Sequence, residues 1–381
     1  MRILVIRYKK TRGVPEGGEQ GSEKNLQVLQ HIVGSDNVDT YYIHDEAHRR
    51  TLWEYLQGIL LMPFGYYFGL TPHRLREIAG CASRYDVVFV DRSVFGIVAK
   101  RVKETGYKGR VVCFFHNVEV VYFAAKYSRR YNPIRWLVLP CADRNDRWSC
   151  RYADRIIALS TRDDDELFRR YGRHADVLIP VAFVDRYRQE AYPTEMTASK
   201  PLCMFLGAYF PANVEGIQWF IANVLPKVNI RMQIVGKGMD KLKVESEKWK
   251  VEREATQDRG SDLSPFSDIQ VLSNVPDLEP LFEAADIMVL PIFKGSGMKV
   301  KTCESLMYGK NIIGTPEAWS GYELDYAKAG ACCLTVDEFV AAINDFCQHP
   351  RPRFNTYSRQ IFVDQYSADR MVDKFRAVLE N

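Results

Sequence analysis

The chain has 381 residues, long for one ordinary hydrophobic core and suited to two domains. Its formal charge of +4, from 52 basic and 48 acidic residues, excludes a general nucleic-acid binder and confines any basic surface to a local patch. Nine cysteines without a CxxC pair or a zinc-type Cys/His spacing, and no run of about twenty apolar residues, argue against a disulfide scaffold, a zinc site and a membrane span.

The opening segment, MRILVIRYKKTRG, lacks a cleavable apolar core, so a soluble or peripheral protein of the reducing cytoplasm is expected. Residues 3–6 are continuously aliphatic and predict a strand buried on both faces. A glycine-rich loop follows, carrying Gly17, Gly18 and Gly21, with Ser22 as expected N-cap of a helix bearing Leu26, Leu29, Ile32 and Val33. The loop's spacing departs from GxGxxG, and no dinucleotide site is read there. Residues 53–76 are aromatic and aliphatic but broken by Gly58, Pro63, Gly65 and Gly69. Two readings stay open for them: core helices with a loop, or an interfacial patch in which Trp53, Phe64, Tyr66, Tyr67 and Phe68 touch lipid or a lipid-linked acceptor.

Residues 85–91 and 110–115 predict two more buried parallel strands, with a helix over 93–104 between them. The second strand ends in His116-Asn117-Val118-Glu119, a polar cluster at the edge where open α/β sheets place ligands. Asn117 has the alternative of capping the next helix. Between 126 and 155 eight basic residues interleave with Tyr127, Tyr131, Trp136 and Trp148. A solvated helix face and attraction to anionic headgroups or a polyprenyl diphosphate both fit that stretch. Ser160 or Thr161 caps the helix after a further strand, and residues 163–165 are first-turn acids complementing its dipole rather than an Asp-x-Asp metal motif.

Residues 186–200 are polar and read as a linker; a second αβ series starts at Leu202. Its first strand ends in Gly207, and Pro211, Asn213 and Gly216 are expected to form a turn before a helix through Ile217, Phe220 and Ile221. Residues 241–264 read as a charged insertion, a helix and a loose loop without assigned chemistry. The strongest signal is the apolar strand 287–290, the turn Gly295-Ser296-Gly297, and a helix over 298–308 stopped by Gly309. Glycine lets a backbone approach an anion closely, and the helix start offers unpaired N–H groups. Lys299 and Lys301 place charge beside that loop, and the carboxylate of Glu304 suits a ribose diol. A strand at 311–314 and amphipathic helices at 336–348 and 366–379 complete the chain.

The run PDLEPLFEAADIMVLPIFKGSGMKVKTCESLMYGKNIIGTPEAWSGYEL resembles the donor-binding segment of retaining GT-B glycosyltransferases of family 4 (glycosyl transferases group 1). That family's signature places a Glu eight positions before a second Glu; Glu304 matches the second, and Ser296 stands where the first would be. HNVE, IIALS and PANVEGIQWF add weaker likeness. The resemblance implies an α/β protein of GT-B fold: two Rossmann-like αβα domains facing a central cleft, with a C-terminal helix crossing back to the N-domain. The expected division is an acceptor-side domain at 1–185 with 366–381 packed on it, a linker at 186–200, and a donor domain at 201–365.

The resemblance further implies transfer of a sugar from a nucleotide-diphosphate sugar to a saccharide or polyprenyl-linked acceptor, in surface polysaccharide synthesis, with retention and without metal or other cofactor. His116 and Glu304 are the expected catalytic residues. Gly207, Val275, Gly295, Ser296, Gly297, Lys299, Lys301 and Glu304 are the expected donor site, with Val275 near the base and Lys237 as a supplement to the phosphate charge. Gly17, Gly18 and Glu119 are the expected acceptor side. A nucleotide-sugar epimerase and a catalytically silent GT-B partner of a transferase are the alternatives, the latter because of Ser296. Peripheral contact with an anionic membrane is a further expectation, and nucleic acid is not an expected partner.

Overall fold

The computed structural model describes residues 1–9, 17–45, 51–127, 132–188, 195–197, 200–242, 268–295 and 297–380. Ser296, nearly all of the 241–264 insertion, much of the 186–200 linker, and Arg129, Arg130 and Tyr131 of the basic stretch lie outside them.

Two parallel six-stranded sheets carry the fold. The first, in the order β2-β1-β3-β4-β5-β6, consists of β1 (Ile3–Lys9), β2 (Val38–Asp45), β3 (Val87–Val90), β4 (Arg110–Phe115), β5 (Arg155–Ala158) and β6 (Val177–Leu178). The second, β12-β11-β10-β7-β8-β9, consists of β7 (Leu202–Leu206), β8 (Arg231–Val235), β9 (Ile269–Leu272), β10 (Ile287–Leu290), β11 (Asn311–Gly314) and β12 (Gly330–Cys332). All residues of β3, β10 and β11 are buried, as central strands of a parallel sheet covered by helices on both faces are.

The N-terminal series carries α1 (Gly17–Val33), α2 (Leu52–Leu61), α3 (Pro72–Cys81), α4 (Gly96–Glu104), α5 (Glu119–Lys126), α6 (Arg135–Tyr152) and α7 (Thr161–Tyr171). The C-terminal series carries α8 (Pro211–Asn223), α9 (Glu279–Ala284), α10 (Val300–Met307), α11 (Tyr326–Ala329), α12 (Val336–Gln348), α13 (Thr356–Ile361) and α14 (Ala368–Glu380). The last helix returns to the first sheet. Phe375 stacks 6.2 Å from Phe114, Lys24 lies over its ring at 5.3 Å, and Arg110 donates to the carbonyl of Leu379. One apolar cluster therefore runs from Val5 and Phe89 through Phe375 into the second sheet.

Three local expectations change. Ser22 lies inside α1 rather than capping it, because its hydroxyl is drawn to the buried carboxylate of Asp91. Pro211, Asn213 and Gly216 belong to α8, with Pro211 at a first-turn position that needs no N–H donor. At Gly216 a Cβ would overlap the carbonyl of Pro291, so its lack of a side chain lets α8 press against the loop after β10. Asn117 does not cap α5; the N-cap is Val118, without a side-chain cap, and Asn117 faces Gly297. Ser160, of the two cap candidates, caps α7 by accepting from the Asp163 amide.

Candidate active site

In both sheets the strand order reverses beside the first strand of the series, and the residues that follow the strands there share one rim. In the first domain that rim carries Asp91 after β3 and His116 after β4. Asp91 is buried and accepts from Ser22, from Asn25 Nδ2 at 2.9 Å and from His116 Nε2 at 3.3 Å. Burial alone would raise its pKa, but His116, the Arg7 charge and the Ser22 hydroxyl outweigh it and hold the carboxyl below its usual range. Burial lowers the His116 pKa, so the ring is neutral at pH 7 with its Nε2 proton directed at Asp91. Gly21 backs the ring; a Cβ there would stand 3.3 Å from Nδ1. Glu119 opens α5 almost wholly buried, its pKa raised by burial against Arg92 and Lys126.

Asp91, Asn25 and Lys24 were missing from the sequence-derived site. Asp91 carried a readable signal, being an acid directly after a buried strand, the same position that singled out His116. Lys24 carried none, since only the fold sets its ammonium against Phe114 and Phe375. Its pKa falls to about 8 through burial, against the Asp91 charge.

The second rim holds Gly207 after β7 and α10 after β10. Lys299 is the N-cap residue of α10, Lys301 lies in its first turn, and Glu304 follows one turn later. Lys301 Nζ donates to Asn213 Oδ1 at 2.6 Å, and a Cβ on Gly207 would stand 3.0 Å from that ammonium. Burial, then the charge of Lys299, lowers its pKa to about 7. No Lys or Arg precedes Ile217 in this stretch, and Asn213 serves to steer Lys301 there. Burial raises the Glu304 pKa to about 7, against Arg186 and Lys301.

Lys299 is engaged otherwise. Its ammonium donates to the carbonyl of Gly297 and to Glu317 Oε1, both at 2.7 Å, while Arg162 of α7 donates to Glu317 Oε2 at 2.8 Å. This ion triad ties the two domains together. Gly297, at φ 62°, closes the same junction; a Cβ there would stand 2.7 Å from Asn117 Oδ1. The structure thus brings His116, Asn117, Gly297 and the start of α10 to one cleft. Val275 sits partly buried after the edge strand β9, Lys237 follows β8, and Gly17 and Gly18 open α1.

Among the described residues no three His, Cys, Asp or Glu side chains gather as a metal would require. The acids after Ser160 have local partners: Ser160 Oγ donates to Asp163 at 2.6 Å, and Asp164 pairs with His174 at 2.9 Å.

The family model described as Glycosyltransferase Family 4 matches residues 40–180, and the one described as Glycosyl transferases group 1 matches residues 200–349. No curated protein matches the chain in sequence. Among solved structures, Alr3699/HepE of Anabaena in complex with UDP is similar, at TM-score 0.67 and 13% identity, covering 100% of this chain and 99% of its own. The lipopolysaccharide outer core galactosyltransferase WaaB is similar at TM-score 0.61 and 12% identity, over 100% and 99% of the two chains. A UDP-forming α,α-trehalose-phosphate synthase from Burkholderia xenovorans, in complex with glucose-6-phosphate, is similar at TM-score 0.60 and 14% identity, over 100% of both.

Proposed function

This chain belongs to the glycosyltransferases of group 1 / family 4 and has their GT-B fold, and from that premise we propose that it transfers a hexose from a nucleotide-diphosphate sugar to a saccharide or polyprenyl-linked acceptor. The reading includes retention of configuration, no metal requirement, and a role in surface polysaccharide assembly. The observation that carries it is the Lys301–Asn213 pair at the start of α10, with Glu304 one turn on.

Transfer leaves growing negative charge on the departing diphosphate. Lys301, the amides at the start of α10 and the loop ending in Gly297 would stabilise that charge without reorganisation, as preorganised donors do. Ionised Glu304 would accept the two hydroxyl protons of the ribose. Neutral His116, held by Asp91, offers its remaining ring nitrogen to a sugar hydroxyl. On the acceptor side, Arg7 Nη1, Asn25 Oδ1 and Glu119 Oε1 are buried without hydrogen-bond partners, and acceptor hydroxyls would satisfy such groups. The UDP complex of HepE makes a uridine nucleotide the first donor class to try.

The test is a thermal-shift series with UDP, GDP, ADP, CMP and dTDP, with and without EDTA. Selective stabilisation by one diphosphate, unchanged by EDTA, is expected; at a hundredfold excess over Kd it amounts to about 2.7 kcal/mol. No shift with any nucleotide overturns the donor site. Donor consumption without an acceptor-linked product would replace transfer by epimerisation or hydrolysis.

A further inference from the structure

The outer surface of the N-terminal domain leaves large apolar side chains in water. Leu52, Trp53 and Leu60 of α2, Phe64 just after it, and Trp136 of α6 are each between 66% and 79% exposed. At about 100° per residue, Leu52, Trp53, Leu56 and Leu60 fall within a single arc of roughly 100° on α2. Leu56 is exposed as well, whereas Gly58 and Met62 point inward. The helix is apolar on its packed side too, where Gly58, Ile59, Leu61 and Met62 lie, and it still leaves this second apolar stripe facing water.

The neighbouring helix supplies charge. Trp136, Pro140, Arg144, Arg147 and Arg151 are the exposed positions that line one arc of roughly 80° on α6. The only acid at the margin of that row, Asp143, pairs with Arg147 at 3.4 Å and accepts from Tyr171. The two helices form one surface, because Arg144 donates to the carbonyl of Pro63, Asn145 donates to that of Gly65 at 2.9 Å, and Gly65 lies against Trp148. A contiguous exposed apolar stripe marks an interaction site.

We propose that the α2 and α6 surface docks on an anionic lipid bilayer, with the leucines, Trp53, Phe64 and Trp136 entering the headgroup boundary and the arginine row meeting the lipid phosphates. The pairing selects this occupant. A bilayer interface accepts Trp and Leu on one side of a helix while arginine stems reach back to charge, and each basic residue near an anionic surface adds about 1 kcal/mol. A second copy of the chain would bring two arginine rows into one twofold contact. The helix α6 leads back into β5 and so runs opposite to the strands, which sets Trp136 on the cleft side of the domain. Among the described residues no helix is long and apolar enough to cross a membrane, so contact through this face is of the surface kind.

The experiment is cosedimentation of the full chain with vesicles of phosphatidylcholine alone and of phosphatidylcholine mixed with phosphatidylglycerol, at low and high salt. Binding to the anionic vesicles, weakened by salt and much weaker on neutral ones, is expected. The double variant Arg147→Ala with Arg151→Ala should bind about thirtyfold more weakly, at about 1 kcal/mol per arginine. Leu60→Glu should lose at least tenfold, with the melting temperature of both variants unchanged because these side chains are exposed. Equal binding to both vesicle types, or to neither, overturns the proposal. So does displacement of the chain from vesicles by inorganic diphosphate, which would mark a soluble phosphate site. Concentration-dependent dimers that Leu60→Glu abolishes would assign the face to a second copy instead.

Discussion

Lys301 Nζ and Asn213 Oδ1 stand 2.6 Å apart, joining the first turn of α10 to the first turn of α8 where the second sheet reverses its strand order. A neutral amide steers the ammonium without neutralising it, so the charge remains for an anionic guest. Lys299, by contrast, spends its charge on Glu317. Lys301→Ala should therefore weaken nucleoside-diphosphate binding tenfold or more, since a hydrogen bond to a charged group is worth about 1.5–3 kcal/mol. Lys299→Ala should weaken it less and loosen the domain junction. Titration calorimetry of both variants with the diphosphate found in the thermal-shift series checks the ranking, and equal losses would refute it.

The lowered pKa of Lys301, about 7, has a consequence for binding. At pH 8 the free protein holds this amine mostly neutral, and a bound diphosphate would draw a proton onto it. Binding at pH 8 should take up close to one proton, so affinity falls as pH rises through 7 and above. Calorimetry in two buffers of different ionisation enthalpy measures the uptake. Lys301→Met should abolish it.

Glu304 links pH to folding stability rather than to binding. Its folded pKa, near 7, lies above the ordinary 4.5, so the folded state prefers the protonated carboxyl. That contribution to stability is complete below about pH 4.5 and is lost as pH rises through 7. Glu304→Gln should thus stabilise the ligand-free protein at pH 8 by up to about 3 kcal/mol and leave it nearly unchanged at pH 4.5. The same variant should weaken nucleotide binding. Melting curves at the two pH values decide the first part, and a destabilised variant at pH 8 would contradict it.

Asp91 collects hydrogen bonds from Ser22, Asn25 and His116 in a buried setting. Asp91→Ala leaves the donors on Ser22, Asn25 and His116 without their buried acceptor, and should cost about 3–5 kcal/mol of stability. Asp91→Asn should keep the fold but let the His116 ring change tautomer, lowering kcat with little change in donor KM. A fall in KM-dependent binding alone, at unchanged kcat, would remove Asp91 from the positioning of His116.

Gly216→Ala tests the close approach of α8 to the loop after β10. The added Cβ would overlap the carbonyl of Pro291, a backbone atom that cannot swing aside as a side chain can. A destabilisation of about 1–3 kcal/mol is expected, with weaker donor binding because Asn213 shifts with the helix. An unchanged melting temperature would show that the helix can withdraw freely.

Local pattern alone determined the alternation of apolar strands and amphipathic helices, the strand–glycine–helix unit around Gly297, and the reach of Lys301 and Glu304 along one helix. These follow from short-range rules: aliphatic runs seek burial on both faces, glycine admits positive φ, and residues three apart share a helical face. The return of α14 to the first sheet was expected from resemblance and is seen in Phe375 against Phe114. What only the tertiary structure decided is partnership. Ser22 looked like a cap until the buried carboxylate of Asp91, 69 positions away, drew its hydroxyl inward. Asn213 looked like a turn residue until α10, 88 positions on, brought Lys301 beside it. Burial of one polar group obliges another to come and pair with it, and which one comes is set by chain crossings that no local window of sequence contains.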